Sequence, residues 1–110
     1  MVARESNFRP CDARELVSQI GGGNVCAISG GRVIARETGI TLPVRYGYSV
    51  TVDLAADDTY VVRRIFTRAG KVTIQGEMAG VYCEEVGEVA YQASCYVNVS
   101  FGDGREDDQA

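Results

Sequence analysis

Tyr46-Gly-Tyr-Ser-Val-Thr-Val-Asp-Leu-Ala-Ala-Asp-Asp-Thr-Tyr60 runs directly into Val61-Val-Arg-Arg-Ile-Phe-Thr-Arg-Ala-Gly-Lys-Val-Thr-Ile-Gln-Gly76. This stretch decides the fold. Tyr48, Val50, Val52 and Leu54 alternate with Ser49, Thr51 and Asp53, a period of two that marks a half-buried strand. Residues 55–58 turn the chain. Residues 60–67 are apolar on both faces, with Val61 and Ile65 on one and Tyr60, Val62 and Phe66 on the other, as expected inside a sheet. Arg68-Ala-Gly-Lys71 is a tight turn with Gly70 free to take positive φ. Val72 and Ile74 then alternate with Lys71, Thr73 and Gln75, a second half-buried strand. The stretch is expected at the middle of an antiparallel sheet, with an open wet face bearing Thr51, Asp53, Thr73 and Gln75.

Moving toward the N-terminus, residues 40–44 form a strand whose Pro43 cannot donate to a ladder, which places it at an edge. Glu37-Thr-Gly39 makes a turn before it. Two short apolar runs, residues 25–29 and 32–35, flank Gly30-Gly31 and read as a hairpin, because primed turns require positive φ. Gly21-Gly-Gly-Asn24 reads as a flexible link. It follows a helix and no lysine succeeds it, so it lacks the positive dipole end that a phosphate loop uses. Asp12 and Glu15 fit a capping box, and Ala13, Leu16, Val17 and Ile20 share one face of a helix over residues 12–20. Residues 1–11 are expected as a flexible arm.

On the other side, Tyr82, Val86, Val89, Ala93 and Tyr96 step along one stripe of a C-terminal helix. Glu84, Glu85 and Glu88 lie where carboxylates meet its positive dipole end. Gly87 interrupts the packing face, which suits a close approach of this helix to the sheet. Residues 98–110 are polar and acidic and are expected as a disordered tail. The folded domain is expected to span 12–97, an α+β unit: a short helix, a meander sheet of about five strands, and a longer helix packed on it.

Composition narrows the function classes. One domain is expected from 110 residues, and a net charge of -4 argues against a dedicated nucleic-acid binder. No histidine is present, which removes the commonest general base and every Ser-His or Cys-His arrangement. Cys11, Cys26, Cys83 and Cys95 include no close ligand pair, so they read as free thiols and not as a zinc site. In one continuous helix Cys83 and Cys95 stand roughly 18 Å apart, too far for a disulfide. The N-terminus lacks a signal-peptide core and no run spans a bilayer, so a cytoplasmic protein is expected. Asn98-Val-Ser100 is then a chance glycosylation pattern.

The run 54–60, the basic hairpin after it, Gly80-Val-Tyr-Cys-Glu-Glu-Val86 and Ile20-Gly-Gly-Gly-Asn-Val-Cys-Ala-Ile-Ser-Gly-Gly31 together resemble a family of small accessory proteins of bacteriophages and prophages, closest to those of actinobacterial phages. The resemblance covers roughly residues 12–97. It implies a shared fold and a bacterial host cytoplasm, and it brings no catalytic residue.

Three function classes follow. A metal nuclease would use Asp53, Asp57 and Asp58, but adjacent turn aspartates diverge or cap their own backbone. Nucleic-acid binding would use Arg63, Arg64, Arg68 and Lys71, interleaved with Tyr60 and Phe66. Parity limits this: Arg63 and Arg64 point to opposite faces, while Arg64, Phe66 and Arg68 share one. Binding of a host or phage protein, through the open face or an edge such as residues 40–44, is the leading expectation, and the same edge or face offers a route to a homodimer. No catalytic residue, metal ligand or cofactor site is assigned. Arg64, Arg68, Lys71 and Arg63 are the candidate contact surface.

Overall fold

A computed structural model describes residues 8–95. The chain forms an α+β fold: helices α1 (Ala13–Ile20) and α2 (Gly22–Ser29), strands β1 (Ile34–Ala35), β2 (Gly39–Pro43), β3 (Tyr48–Leu54), β4 (Tyr60–Arg68) and β5 (Lys71–Val81), then helix α3 (Val86–Ser94). The strands form one antiparallel meander in the order β1-β2-β3-β4-β5. All three helices cover one face, and Leu16, Ile20, Val25, Ile28, Ile40, Leu42, Val50, Val52, Val62, Val81, Val86 and Ala90 form the core between them.

The helix over residues 12–20 forms as expected. Asp12 Oδ1 accepts from the Arg14 N–H at 3.0 Å. Glu15 does not reach back; it accepts from Gln19 Nε2 instead, at 3.3 Å. The hairpin expected through Gly30-Gly31 is replaced by α2. Val25, Ile28 and Ser29 are buried at helical spacing. Gly30, left-handed at φ 67°, ends the helix, its N–H donating to Cys26 O at 2.9 Å. A glycine pair serves a helix stop as well as a primed turn, since both need positive φ. The link expected over residues 21–24 becomes the corner between α1 and α2, and Asn24 Nδ2 donates to Ile20 O at 2.9 Å.

The stretch expected at the sheet's middle supplies β3, β4 and the first half of β5, and β5 is an outer strand. It runs five residues past Gly76, to Val81. Two register shifts make this extension work, between Arg64 and Ile65 and between Tyr60 and Val62. The hairpin register pairs Ile65 with Ile74 and Phe66 with Thr73; beyond the first shift, Arg64 pairs with Gly76 and Val62 with Met78. Each β-bulge inserts one residue and so reverses which face the following side chains meet. Met78 turns onto the core and Glu77 turns out beside Arg63. The same parity places Val72 and Ile74 on the open face and Thr73 on the helix-side face, the reverse of the sequence expectation.

β2 is internal, yet Pro43 fits it. Val44 N–H donates to Tyr48 O and Leu54 N–H to Thr38 O, so even-numbered positions of this strand bond to β3 and odd ones face the other way. β1 pairs only with Ile40 and Thr41, so among the described residues no strand pairs with Pro43 on its outer side. The C-terminal helix begins at Val86, four residues later than its stripe suggests, and Tyr82 is exposed before it. Tyr96, the last residue of that stripe, lies outside the described residues, as do most of the expected arm and all of the expected tail. Residues 8–11 run beside the sheet: Phe8 bridges Ala55, Arg9 N–H donates to Leu54 O, and Cys11 N–H donates to Glu37 O.

Candidate contact surface at the hairpin end

Meander topology brings alternate turns to the same end of a sheet. The β2–β3 turn and the β4–β5 turn therefore lie side by side, joined where Thr67 N–H donates to Gly47 O at 2.9 Å. Arg45, Tyr46, Arg68 and Lys71 are exposed there, and Tyr46 is 77% accessible. Tyr48 and Phe66, paired across β3 and β4, pack with ring centroids 4.7 Å apart. Phe66, Arg68, Ala69, Lys71 and Thr73 line an open depression of about 430 Å³. Arg45 and Tyr46 were not singled out in the sequence; the signal available was that a meander places its alternate turns together.

The four cations expected as one surface are divided. Arg68 and Lys71 flank the turn and are exposed. Arg63, on the open face, pairs with Glu77 at 3.2 Å and lies 5.5 Å from the Phe8 ring centre. Arg64 points to the helix side, is only 3% accessible, and sits over the Tyr48 ring at 5.3 Å. The helices bury the face that parity gives it, which takes it out of any contact surface.

The open face is drier than its sequence suggests. Asp53 is buried, with its Oδ1 accepting from Arg36 Nη1 at 2.9 Å and from Thr38 Oγ1 at 2.7 Å. Arg36 also donates to Thr41 Oγ1 and Ile40 O, both at 2.8 Å. The β3–β4 turn spends its carboxylates locally. Asp57 Oδ1 accepts from the Thr59 hydroxyl and N–H, bonds that hold its pKa below the ordinary value, and Asp58 pairs with Arg9. The three aspartates thus face three different partner sets instead of converging. Among the described residues no group of three or more His, Cys, Asp and Glu side chains could hold a metal.

A second cleft, of about 320 Å³, lies at the opposite end and includes Cys11, Glu15, Asp58, Tyr60, Cys83 and Glu84 in its lining. Burial, and then the surrounding acidic groups, push the Cys11 thiol up. Tyr60 donates its hydroxyl to Gln19 Oε1 at 2.7 Å. Burial first, then Cys11, Glu15, Cys83 and Asp58, push its pKa up to about 12. An unfolded tyrosine ionises near pH ~10, so this group's contribution to stability is full below that pH and is lost as pH rises toward 12. Stability is expected to fall over that window, and Tyr60→Phe is expected to flatten that part of the decline. Urea unfolding at stepped alkaline pH measures this, and an unchanged slope in the variant rejects it.

All four cysteines are free thiols. No helix among the described residues is long and apolar enough to cross a membrane. No family model, curated protein or solved structure matches the chain.

Proposed function

We propose that this chain is a small non-catalytic accessory protein of phage type that acts in a bacterial host's cytoplasm by binding a host or phage protein. The carrying observation is the hairpin half of β5. It is an outer strand, and it presents Val72 at 63% and Ile74 at 54% accessibility on the face the helices leave open. Exposed apolar side chains on an outer strand are the usual materials of a protein contact. The carboxylates that could have served a reaction are occupied in holding turns and strands. The resemblance to phage accessory proteins supports the same reading.

One observation favours nucleic acid as the alternative partner. Arg45, Arg68 and Lys71 share one end of the sheet with exposed Tyr46, and no carboxylate occurs in residues 43–52 or 59–76. Affinity capture from host lysate, with and without nuclease, separates the two. A single stoichiometric protein retained after nuclease is expected. Recovery of nucleic acid, with every protein lost after nuclease and binding that weakens steeply with salt, replaces the proposal with the alternative.

A further inference from the structure

The β4–β5 turn consists of Ala69 and Gly70, both at positive φ (52° and 79°), between paired Arg68 and Lys71. A two-residue turn of this kind makes its flanking residues a hydrogen-bonded pair. Alternation then directs the N–H and C=O groups of Lys71 and Thr73 toward β4, and those of Val72 and Ile74 outward. Among the described residues no strand pairs with this outer edge. The register shift between Arg64 and Ile65 limits its regular part to the hairpin half.

The two faces of that half differ in chemistry. Val72 and Ile74 lie on the open face with Ile65. Lys71 and Thr73 lie on the other, beside Arg68 and Phe66, around the open depression. Nothing in residues 59–76 neutralises these cations through a carboxylate of its own.

We propose that the outer edge of β5 takes an extended segment of a partner protein as a sixth strand, and that this segment alternates apolar with acidic residues. The proposal rests on the protein-binding reading and specifies its partner. The outward backbone groups of Val72 and Ile74 supply main-chain hydrogen bonds, the mode of β-strand addition. Apolar side chains of the segment pack on Val72 and Ile74. Because side chains alternate across a strand, its other positions fall on the basic face, where carboxylates meet Lys71 and Arg68. A second copy of this chain is a poorer occupant: pairing the hairpin half with itself gathers two Lys71 and two Arg68 with no carboxylate in the paired segment. Nucleic acid has no use for the outward peptide groups or for the apolar pair.

The test uses the full chain and two synthetic octapeptides, one alternating Glu and Val and one alternating Lys and Val. Titration followed by backbone amide NMR is expected to show saturable binding of the Glu-Val peptide, with shifts centred on Val72 and Ile74 and affinity falling with salt. Lys71→Glu is expected to weaken it at least tenfold. Ile74→Pro removes an outward N–H that makes no bond to β4, a place where an edge tolerates proline, and is also expected to weaken binding at least tenfold. Lys71→Glu alters only an exposed side chain and keeps the test decisive should Ile74→Pro unfold. Equal binding by wild type and both variants, equal or tighter binding of the Lys-Val peptide, or displacement of the Glu-Val peptide by oligothymidylate at lower concentration overturns the proposal. So does a concentration-dependent dimer in sedimentation equilibrium that Ile74→Pro dissociates. A lysate partner captured equally well by Ile74→Pro removes the edge while leaving the protein-binding reading in place; failure to capture any protein removes that reading itself.

Discussion

Gly39→Ala is expected to remove the folded state or to cost more than about 4 kcal/mol, at the extreme of single substitutions. Gly39 opens β2 and pairs with Asp53. A Cβ built on it would meet Val52 O at 1.8 Å and Asp53 Cα and Val52 C at 2.8 Å. All three are backbone atoms of β3, so no rotamer change relieves the clash. The first strand residues must move apart, and several bonds depend on their position. Leu54 N–H donates to Thr38 O at 2.8 Å, Arg36 N–H donates to Gly39 O at 2.8 Å, and the Asp53 carboxylate gathers Thr38 and Arg36. Separating the strands leaves a buried carboxylate with weakened partners, which is costly by itself. A domain this size has roughly 5–15 kcal/mol of stability, so the loss reaches the lower part of that range. Urea unfolding of the purified variant measures the effect. A loss below about 1 kcal/mol would show that β2 and β3 are not as close at this point as described.

Gly39 illustrates what the sequence does and does not display. Glu37-Thr-Gly39 reads as a turn, and a turn is there. The reason for glycine is different: it is the nearness of β3, fourteen residues away, and no local pattern encodes that. Strand β3 was legible because alternation along it records burial directly, and β4 because a short run apolar on both faces marks a strand inside a sheet. Helix α1 was legible because its cap, its stripe and its terminal glycine agree. Helix α2 was not. It contains three of the chain's small residues, Gly22, Gly23 and Ala27, and the Gly30-Gly31 pair that ends it is an equally good hairpin signal. The bulged half of β5 was hidden for a related reason. Periodicity assumes unbroken alternation, whereas Gly76 and Gly80 sit where the register shifts occur. At the candidate surface, parity correctly separated Arg63 from Arg64. Which of them would be buried depended on the face the helices cover, and that is set by tertiary packing. Asp53 looked wet because a lone aspartate on a strand usually is; Arg36, seventeen residues earlier, supplies the partner that lets it be buried.

Gly87→Ala is the second substitution expected to have a large effect, and here two influences oppose each other. Alanine favours a helix interior over glycine by up to about 1 kcal/mol. Gly87 lies in the first turn of α3 and is buried against the corner between α1 and α2, not against the sheet. An added Cβ would sit 2.4 Å from Ile20 O and 2.8 Å from Asn24 Nδ2. The amide end of Asn24 could swing away, at the loss of its 2.9 Å bond to Ile20 O. The Ile20 carbonyl is the end of a helix and cannot. Restoring an ordinary contact requires α3 to withdraw by about an ångström. Val86, Val89, Ala90 and Ala93 are all buried along this helix, so withdrawal loosens its contacts with α1, α2 and the sheet together. Overpacking a close interface costs about 1–3 kcal/mol, and the lost amide bond adds about 1 kcal/mol. The sum exceeds the propensity gain, so a net loss of roughly 1–3 kcal/mol is expected. The control is Gly23→Ala in α2, where a Cβ meets nothing within 4 Å and propensity acts alone. Chemical denaturation of both variants should move in opposite directions, Gly23→Ala upward and Gly87→Ala downward. If both rise, helix propensity alone governs these positions and the close approach of α3 to the α1–α2 corner is wrong.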